Sequence, residues 1–195
     1  MNIFYLDKDI DKCAEAHIDK HVTKMILEYA QLLCTALWIN DSIGYYPNKL
    51  ESEVLSIVKE YQNDNPVDKS IRYKGCFHNH PCAIWLRESY NNYEYLWTLT
   101  GALNDEAMFR GFKSHKSWEV VKNLETPSNF KSIGLTKPAQ AMLDEFKQED
   151  SILAYRAYYQ GPKADFATYT LRTPPSWFEA EWVEKNNKWI INNAG

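Results

Sequence analysis

The stretch of sequence that decides the fold runs from residue 11 to residue 39 and reads DKCAEAHIDKHVTKMILEYAQLLCTALWI. Its apolar residues recur three and four positions apart, a spacing that places their side chains on one face of an α-helix. These residues are Ala14, Ile18, Val22, Met25, Ile26, Tyr29, Leu32, Leu33 and Ala36. The stretch therefore predicts one long core helix, with Asp9 or Asp11 as its N-cap.

Shorter segments on the C-terminal side of this stretch also have helical spacing. Helices are predicted over about 48–61, 81–111, 117–124 and 177–191, together with a helical stretch over 136–161 that Asp150 re-caps. Residues 2–6 are apolar and predict either a short strand or an extended arm. Only 7 of the 195 residues are glycine, which argues against a many-stranded barrel or sandwich. The sequence predicts a mainly α protein, a compact single-domain helical bundle over residues 1–195.

The overall charge limits the kinds of partner that the chain can bind. The net charge is −4 at pH 7, whereas a protein that binds duplex DNA non-specifically usually has a basic surface. Duplex DNA is therefore an unexpected partner unless a local basic patch exists. A small anionic ligand needs only a few cations and is compatible with this composition. A homo-oligomer is also compatible with it.

Four cysteines and the N-terminal residues indicate a reducing compartment. No pair of cysteines has C-x-x-C spacing, and the first eleven residues do not resemble a signal peptide. We expect a cytoplasmic protein with free thiols and no membrane span. The run Cys76-x-His78-x-His80-x-Cys82 is spaced too tightly for the usual structural zinc loops, so neither a metal nor another cofactor is expected.

A polar stripe beside the apolar face of the long helix is the strongest functional candidate. His17, His21, Lys24 and Glu28 follow one another at four-, three- and four-residue spacing. Histidine and lysine on a partly desolvated ridge can bind phosphate, and Glu28 and His21 could act as acid and base. The alternative is that Lys24 and Glu28 form an ordinary surface ion pair.

Two further groups of polar residues are candidates for a ligand site. Asn79 and His80 precede Pro81 at the predicted start of a helix, where free N–H groups bind anions, and Trp85 follows one turn later. Arg110, Lys113 and His115 form a basic turn that could hold a phosphate. For both groups, a purely structural role as helix caps or dipole partners is the alternative.

The residues Asp19-Lys20-His21, Lys24, Glu28, Asn79-His80-Pro81 and Trp85 resemble a known pattern. Over about 12–116, the chain is similar to the superfamily of phage-type pyrimidine-dimer DNA glycosylases. It is more similar still to small uncharacterised proteins of tailed phages. The resemblance implies a helical domain of phage origin, in which Glu28 matches the catalytic carboxylate and His21 a histidine near it.

The chain also departs from that family in two respects. The glycosylases attack the sugar with the α-amine of a small residue, whereas residue two here is Asn2. Leu27 and Gln31 stand where relatives carry arginines that grip DNA. These differences favour a pocket for a free nucleotide over a pocket for a flipped base.

Three functions therefore remain open. The first is a binding module that holds a small phosphorylated nucleotide, with Trp85 and Trp177 available for stacking, and that sequesters a nucleotide signal of bacterial immunity in the host cytoplasm. The second is an enzyme, either a DNA glycosylase or lyase that acts on damaged or modified pyrimidines or a nucleotide-cleaving enzyme, with Glu28 central. The third is a structural or protein-interaction factor.

Overall fold

Helices dominate the structure, a computed structural model that describes residues 2–192. The α-helices are α1 (Ile10–Glu15), α2 (Asp19–Ile43), α3 (Ser52–Asp64), α4 (Pro81–Glu88), α5 (Tyr90–Phe109), α6 (Lys116–Val121) and α7 (Ser151–Gln160). Short 3₁₀ turns occupy Asp144–Phe146 and Ala164–Phe166, and the strands are β1 (Thr168–Thr170), β2 (Trp182–Lys185) and β3 (Lys188–Ile191). The mainly helical class predicted from the sequence is confirmed.

The predicted first helix is two helices in the structure. α1 ends at Glu15, and α2 begins at Asp19 after Ile18, whose backbone is extended with φ −65° and ψ 152°. The break frees the Asp19 carboxylate to bind residues far along the chain, as described below. The Asp9 cap is confirmed, because its side chain accepts a hydrogen bond from the backbone N–H of Lys12.

α2 is the central helix and is buried along most of its length. In length and composition it could cross a membrane, contrary to the expectation from the sequence. However, 72% of its most apolar window is buried inside the protein, as in the core helix of a soluble protein. It packs against α5, α3, α6 and α4.

The predicted helix over 81–111 is also divided, at Ser89. This residue is extended, with φ −149° and ψ 145°, and its side chain accepts a hydrogen bond from the N–H of Asn91 to cap α5. α4 begins as predicted, with Pro81 in its first turn and the His80 side chain accepting from the N–H of Cys82. The buried Ser89 therefore separates two helices that the periodicity alone joins.

Two predicted helical segments are largely not helical. Between Thr136 and Leu143 the chain is irregular, and the Asn92 side chain binds both the N–H and the hydroxyl of Thr136. Within 136–161 only α7 is α-helical, beside the 3₁₀ turn at Asp144–Phe146, and the Asp150 cap is confirmed. Residues 182–191 form a hairpin, in which Asn186 and Asn187 have positive φ angles of 53° and 59°. The antiparallel sheet has the order β1-β3-β2.

The N-terminal segment is an extended arm, as one of the two alternatives predicted. The arm is part of the hydrophobic core, since Ile3, Phe4 and Leu6 are no more than 3% exposed. The N–H of Phe4 donates to the Tyr29 hydroxyl at 3.1 Å, and the Leu6 carbonyl accepts from Arg156 at 2.8 Å. These bonds join the arm to α2 and α7.

A buried ion network joins the start of α2, the end of α5 and the sheet. The Arg110 side chain is 0% exposed and donates to Asp19 at 2.9 Å and to Glu106 at 2.6 Å. Asp19 also accepts hydrogen bonds from the hydroxyls of Thr168 and Thr170 and from the N–H of Thr170. Burial alone would raise the pKa of Asp19, but these hydrogen bonds lower it overall.

Removing the guanidinium should strongly destabilise the fold. Arg110→Ala removes the buried cation that Asp19 and Glu106 share and leaves only Lys188 at 3.7 Å from Asp19 and Arg172 at 2.8 Å from Glu106. We expect the free energy of unfolding to fall by about 3 kcal/mol, the lower end of the range for breaking a buried ion pair. The control Lys113→Ala changes an exposed lysine and should have an effect within about 0.5 kcal/mol. Urea denaturation of the two variants tests this, and a loss below about 1 kcal/mol for Arg110→Ala would contradict the structural role of the network.

Candidate functional site

Three lysines converge on His21 from two distant parts of the chain. Lys20 and Lys24 come from the first turns of α2, and Lys163 comes from the segment between α7 and β1. The charges of all three act on the His21 imidazole. We call Lys20, Lys24, Lys163, His21 and the neighbouring Phe166 the lysine face.

The lysine face combines cations with an aromatic surface. The Lys20 ammonium lies 4.6 Å from the centre of the Phe166 ring, and that of Lys163 lies 5.8 Å from it. Neither lysine has a carboxylate at ion-pair distance within residues 2–192. Lys24 does, since its Nζ lies 3.0 Å from Glu28 Oε1. Two of the three cations are therefore not neutralised by the protein.

His21 is 4% exposed and is held by aromatic residues. Its Nδ1 lies 2.8 Å from the Tyr159 hydroxyl, and its ring stacks on Phe4 with centroids 4.4 Å apart. His21 is the acceptor through which the buried Tyr159 O–H is satisfied, so the hydroxyl donates to Nδ1. The imidazole proton then resides on Nε2, which has no hydrogen-bond partner in the described chain.

The surroundings keep the His21 imidazole neutral. Burial is the largest cause that lowers its pKa, and the positive charges of His17, Lys163, Lys24 and Lys20 add to this, giving a value of about 2. A neutral imidazole with its proton on Nε2 is a hydrogen-bond donor at physiological pH. It is suited to an anionic or carbonyl oxygen rather than to abstraction of a proton.

Glu28 lies beside Lys24 on α2, and its negative charge acts on His80. Its side chain is 16% exposed, and it pairs with the more exposed Lys24. Partial burial lowers the pKa of His80, and the negative charge of Glu28 acts in the opposite direction. Lys24 and Glu28 are thus in direct contact, and the charge of Glu28 acts on His80. The i,i+4 ion pair of the structural alternative is also present.

His17 does not line a surface. It is fully buried, and its Nδ1 lies 2.7 Å from the carbonyl oxygen of Cys13. Since a carbonyl only accepts, Nδ1 carries the proton and Nε2 is left without a partner in the described part of the protein. The expectation that His17 contacts a ligand is therefore wrong, because the residue lies in the core.

The segment around His78 is mainly structural. The Asn79 side chain binds both the N–H and the carbonyl of Leu50 at 2.8 Å, which ties the loop to the start of α3. Trp85 is 2% exposed and donates to the Thr136 carbonyl, so it offers no free binding surface. Asn79 is exposed, but its side-chain amide is engaged by Leu50. Trp177 is partly buried, and the Arg156 guanidinium lies 5.1 Å from its ring.

The basic turn after α5 is not a phosphate clamp. Arg110 has no exposed side-chain atom and is engaged by the buried network. The His115 ring accepts a hydrogen bond from the backbone N–H of Ser117 and so caps α6. The backbone N–H of His115 donates to the side-chain oxygen of Asn104. Only Lys113 is exposed. The structural alternative is therefore correct for Arg110 and His115.

The four cysteines are free thiols, and Cys13, Cys34 and Cys82 are buried. Cys76 and Cys82 have separate surroundings, with Cys76 bound through its backbone to Thr35 and Cys82 lying against the N-terminal arm. Over residues 2–192, no three His, Cys, Asp or Glu side chains are grouped closely enough to hold a metal ion.

The sequence analysis missed Phe4, Tyr159, Lys163 and Phe166 as members of this region. Lys163 and Phe166 follow a loop at Gly161-Pro162, where no helical or strand spacing relates them to α2. Lys20 was part of the quoted Asp19-Lys20-His21 motif but was not assigned a role. Only the tertiary fold brings these residues to His21.

Comparisons with known proteins do not add an identity. No family model, no curated protein and no solved structure matches the chain. Any assignment of function therefore depends on the geometry of the site.

The burial of His17 predicts a loss of stability in mild acid. Burial lowers its pKa to about 4, while an unfolded histidine takes up a proton near pH 6.5. The unfolded chain thus binds the additional proton as the pH falls from 6.5 to 4. The free energy of unfolding should fall over this window, by about 3 kcal/mol from His17 alone.

The variant His17→Asn isolates this contribution. It keeps an N–H group near the Nδ1 position but does not titrate in this range. Denaturation of both proteins at pH 7 and pH 4.5 should show a smaller loss for the variant, whatever its absolute stability. Parallel losses in the two proteins would show that His17 does not govern the acid sensitivity.

Proposed function

We propose that the protein binds a small phosphorylated nucleotide on the lysine face. The observation that carries the proposal is that the Lys20 and Lys163 ammonium groups approach the same Phe166 ring, at 4.6 Å and 5.8 Å, and that neither is paired with a carboxylate among the described residues. The Phe166 ring lies 6.0 Å from that of His21, and Lys24 lies on the next turn of α2. Such a cluster of cations in an acidic protein is suited to a compact anion. A binding function requires no general base, which agrees with a neutral His21.

Each group on the lysine face has a role in this proposal. The lysines act as point charges for phosphate oxygens, and His21 Nε2–H donates a hydrogen bond from below. Phe166 is partly exposed and offers an aromatic surface beside the cations for a base or sugar. Glu28 holds Lys24 in place at 3.0 Å and limits the negative charge that the face accepts.

The biological setting that we propose rests on the resemblance of the sequence to phage proteins. In a phage-infected cell, a protein of this kind would sequester a nucleotide signal of bacterial immunity in the host cytoplasm. The net charge of −4 favours a free nucleotide over duplex DNA as the ligand.

Calorimetric titration with nucleoside monophosphates tests the proposal. Lys20→Ala and Lys163→Ala each remove one unpaired cation, and we expect each to weaken binding about tenfold, as for loss of one charged hydrogen bond. Lys59→Ala, which removes an exposed lysine on α3, is the matched control and should bind as the wild type does. The corresponding nucleosides, which lack phosphate, should bind much more weakly.

Two results would contradict nucleotide binding on the lysine face. Unchanged affinity in both Lys20→Ala and Lys163→Ala would place the ligand elsewhere. Absence of saturable binding for every monophosphate would also contradict it. The melting temperature of each variant should fall only slightly, because the cation–π contacts of Lys20 with Phe166 and of Lys163 with Tyr158 involve partly exposed rings and are worth about 0.5–1 kcal/mol each.

A second candidate, a DNA lyase, is favoured by the Lys24–Glu28 pair. The Lys24 amine, 3.0 Å from the Glu28 carboxylate, would condense with the aldehyde of an abasic sugar, with loss of water and formation of an imine. Glu28 would accept the ammonium proton before attack, and His80 lies on its other side.

Glu28→Gln separates the two candidates, because it keeps the shape of the side chain and removes its charge. A lyase should lose borohydride-trapped cross-links to abasic DNA in both Glu28→Gln and Lys24→Ala. A binding module should form no such cross-link, and its affinity for a nucleotide should be retained or increased in Glu28→Gln. Efficient trapping by the wild type would favour the lyase.

A further inference from the structure

A cleft of about 380 Å³ lies between α5 and the segment that follows α6. One wall is a face of α5, where Tyr90, Tyr93 and Trp97 recur at helical spacing. The other wall is formed by residues 122–127. The cleft shares no residue with the lysine face, and its volume is within the range of small-molecule sites.

The aromatic rings of this cleft are fixed by their neighbours. The Trp97 indole N–H donates to the Val121 carbonyl at 3.0 Å, and its ring lies 5.5 Å from that of Trp118. Gly101 permits this packing, because a Cβ there would lie 2.9 Å from the Trp118 ring. A preorganised aromatic surface binds ligands with less loss of conformational entropy.

The two tyrosines are supported in the same way. Phe130 packs against Tyr93 at 5.6 Å and against Tyr90 at 6.4 Å between ring centroids. The chain is also fixed at the start of this wall, where the N–H of Tyr90 donates to the Lys131 carbonyl at 2.9 Å. Three rings are therefore held along one side of the cleft, where Tyr90 and Trp97 are partly exposed and Tyr93 is 4% exposed behind them.

The charges at the cleft are mainly negative and are not neutralised. Glu94 and Glu125 both line it and are exposed, and within residues 2–192 neither takes part in an ion pair. The lysine at the cleft, Lys122, is bound to Glu119 at 2.7 Å. Rings with two unpaired carboxylates disfavour an anionic ligand and favour a cationic one.

From this arrangement we propose that the cleft binds a small organic ammonium ion. The faces of aromatic rings attract ammonium groups electrostatically, and alkyl groups on nitrogen reduce the hydration that opposes this attraction. Glu94 and Glu125 supply the balancing negative charge. Quaternary ammonium compounds and short polyamines share this chemistry.

Calorimetric titration at constant ionic strength tests the proposal with three probes. Choline carries the quaternary cation, 3,3-dimethyl-1-butanol has the same shape without the charge, and spermidine represents the polyamines. We expect choline or spermidine to bind saturably, and choline, if it binds, at least about tenfold more tightly than the neutral alcohol.

Variants of the cleft should lower this affinity without unfolding the protein. Glu94→Gln combined with Glu125→Gln, and separately Tyr90→Leu, should each weaken binding about tenfold. Glu53→Gln, at an exposed carboxylate on α3, is the matched control and should have no effect. Lys20→Ala and Lys163→Ala should also leave the affinity for choline and spermidine unchanged. The proposals for the cleft and for the lysine face are therefore tested independently.

The outcomes are distinct. Saturable binding of spermidine alone would identify the ligand as a polyamine, and saturable binding of choline would identify it as a quaternary ammonium ion. Equal binding of choline and the neutral alcohol would show an uncharged apolar cleft and overturn the proposal. Absence of saturable binding for both cations would overturn it as well.

Discussion

The buried Arg110 guanidinium and its carboxylate partners determine how the start of α2, the end of α5 and β1 lie relative to one another. Asp19 begins α2, Arg110 directly follows α5, and the threonines that bind Asp19 belong to β1. Arg172 extends the network by binding Glu106 at 2.8 Å. A buried charge is tolerated only when it is paired and hydrogen bonded, so these elements can adopt only a limited set of relative positions.

The lysine face depends on this constraint. Lys20 and His21 directly follow Asp19 in the chain, and β1 directly follows the turn that carries Phe166. The bonds between Asp19 and the β1 threonines therefore also hold Lys163 and Phe166 over the first turns of α2. Structural ion pairs thus position the functional cations, although no atom of Arg110 is available to a ligand.

The sequence predicted the elements that depend on local periodicity. The helical class, the Asp9, His80 and Asp150 caps and the apolar face of α2 all follow from spacing and capping chemistry. Two breaks were missed, at Ile18 and Ser89, because the compensating bonds come from distant residues. The C-terminal hairpin was missed as well, although Asn186-Asn187 is a two-residue turn signal in which positive φ angles are common.

The candidate site was predicted only in part, for a related reason. Helical spacing placed His21, Lys24 and Glu28 on one side of α2, but the same spacing included His17, which lies in the core. Nothing in the sequence around Lys163 or Phe166 indicates that they meet α2. Arg110 and Trp85 were expected to bind a ligand, but both are buried and their polar atoms are bound by other residues of the protein.

The state of the His21 ring is the central point of the functional account, and nitrogen NMR of the imidazoles measures it directly. Long-range ¹H–¹⁵N spectra report which ring nitrogen carries the proton in each of the five histidines. The account predicts a neutral His21 with its proton on Nε2 at pH 7. It also predicts that this nitrogen shifts on addition of a nucleoside monophosphate, while the nitrogens of His115 do not. A charged His21, or a nucleotide that shifts His115 and leaves His21 unchanged, would contradict the account.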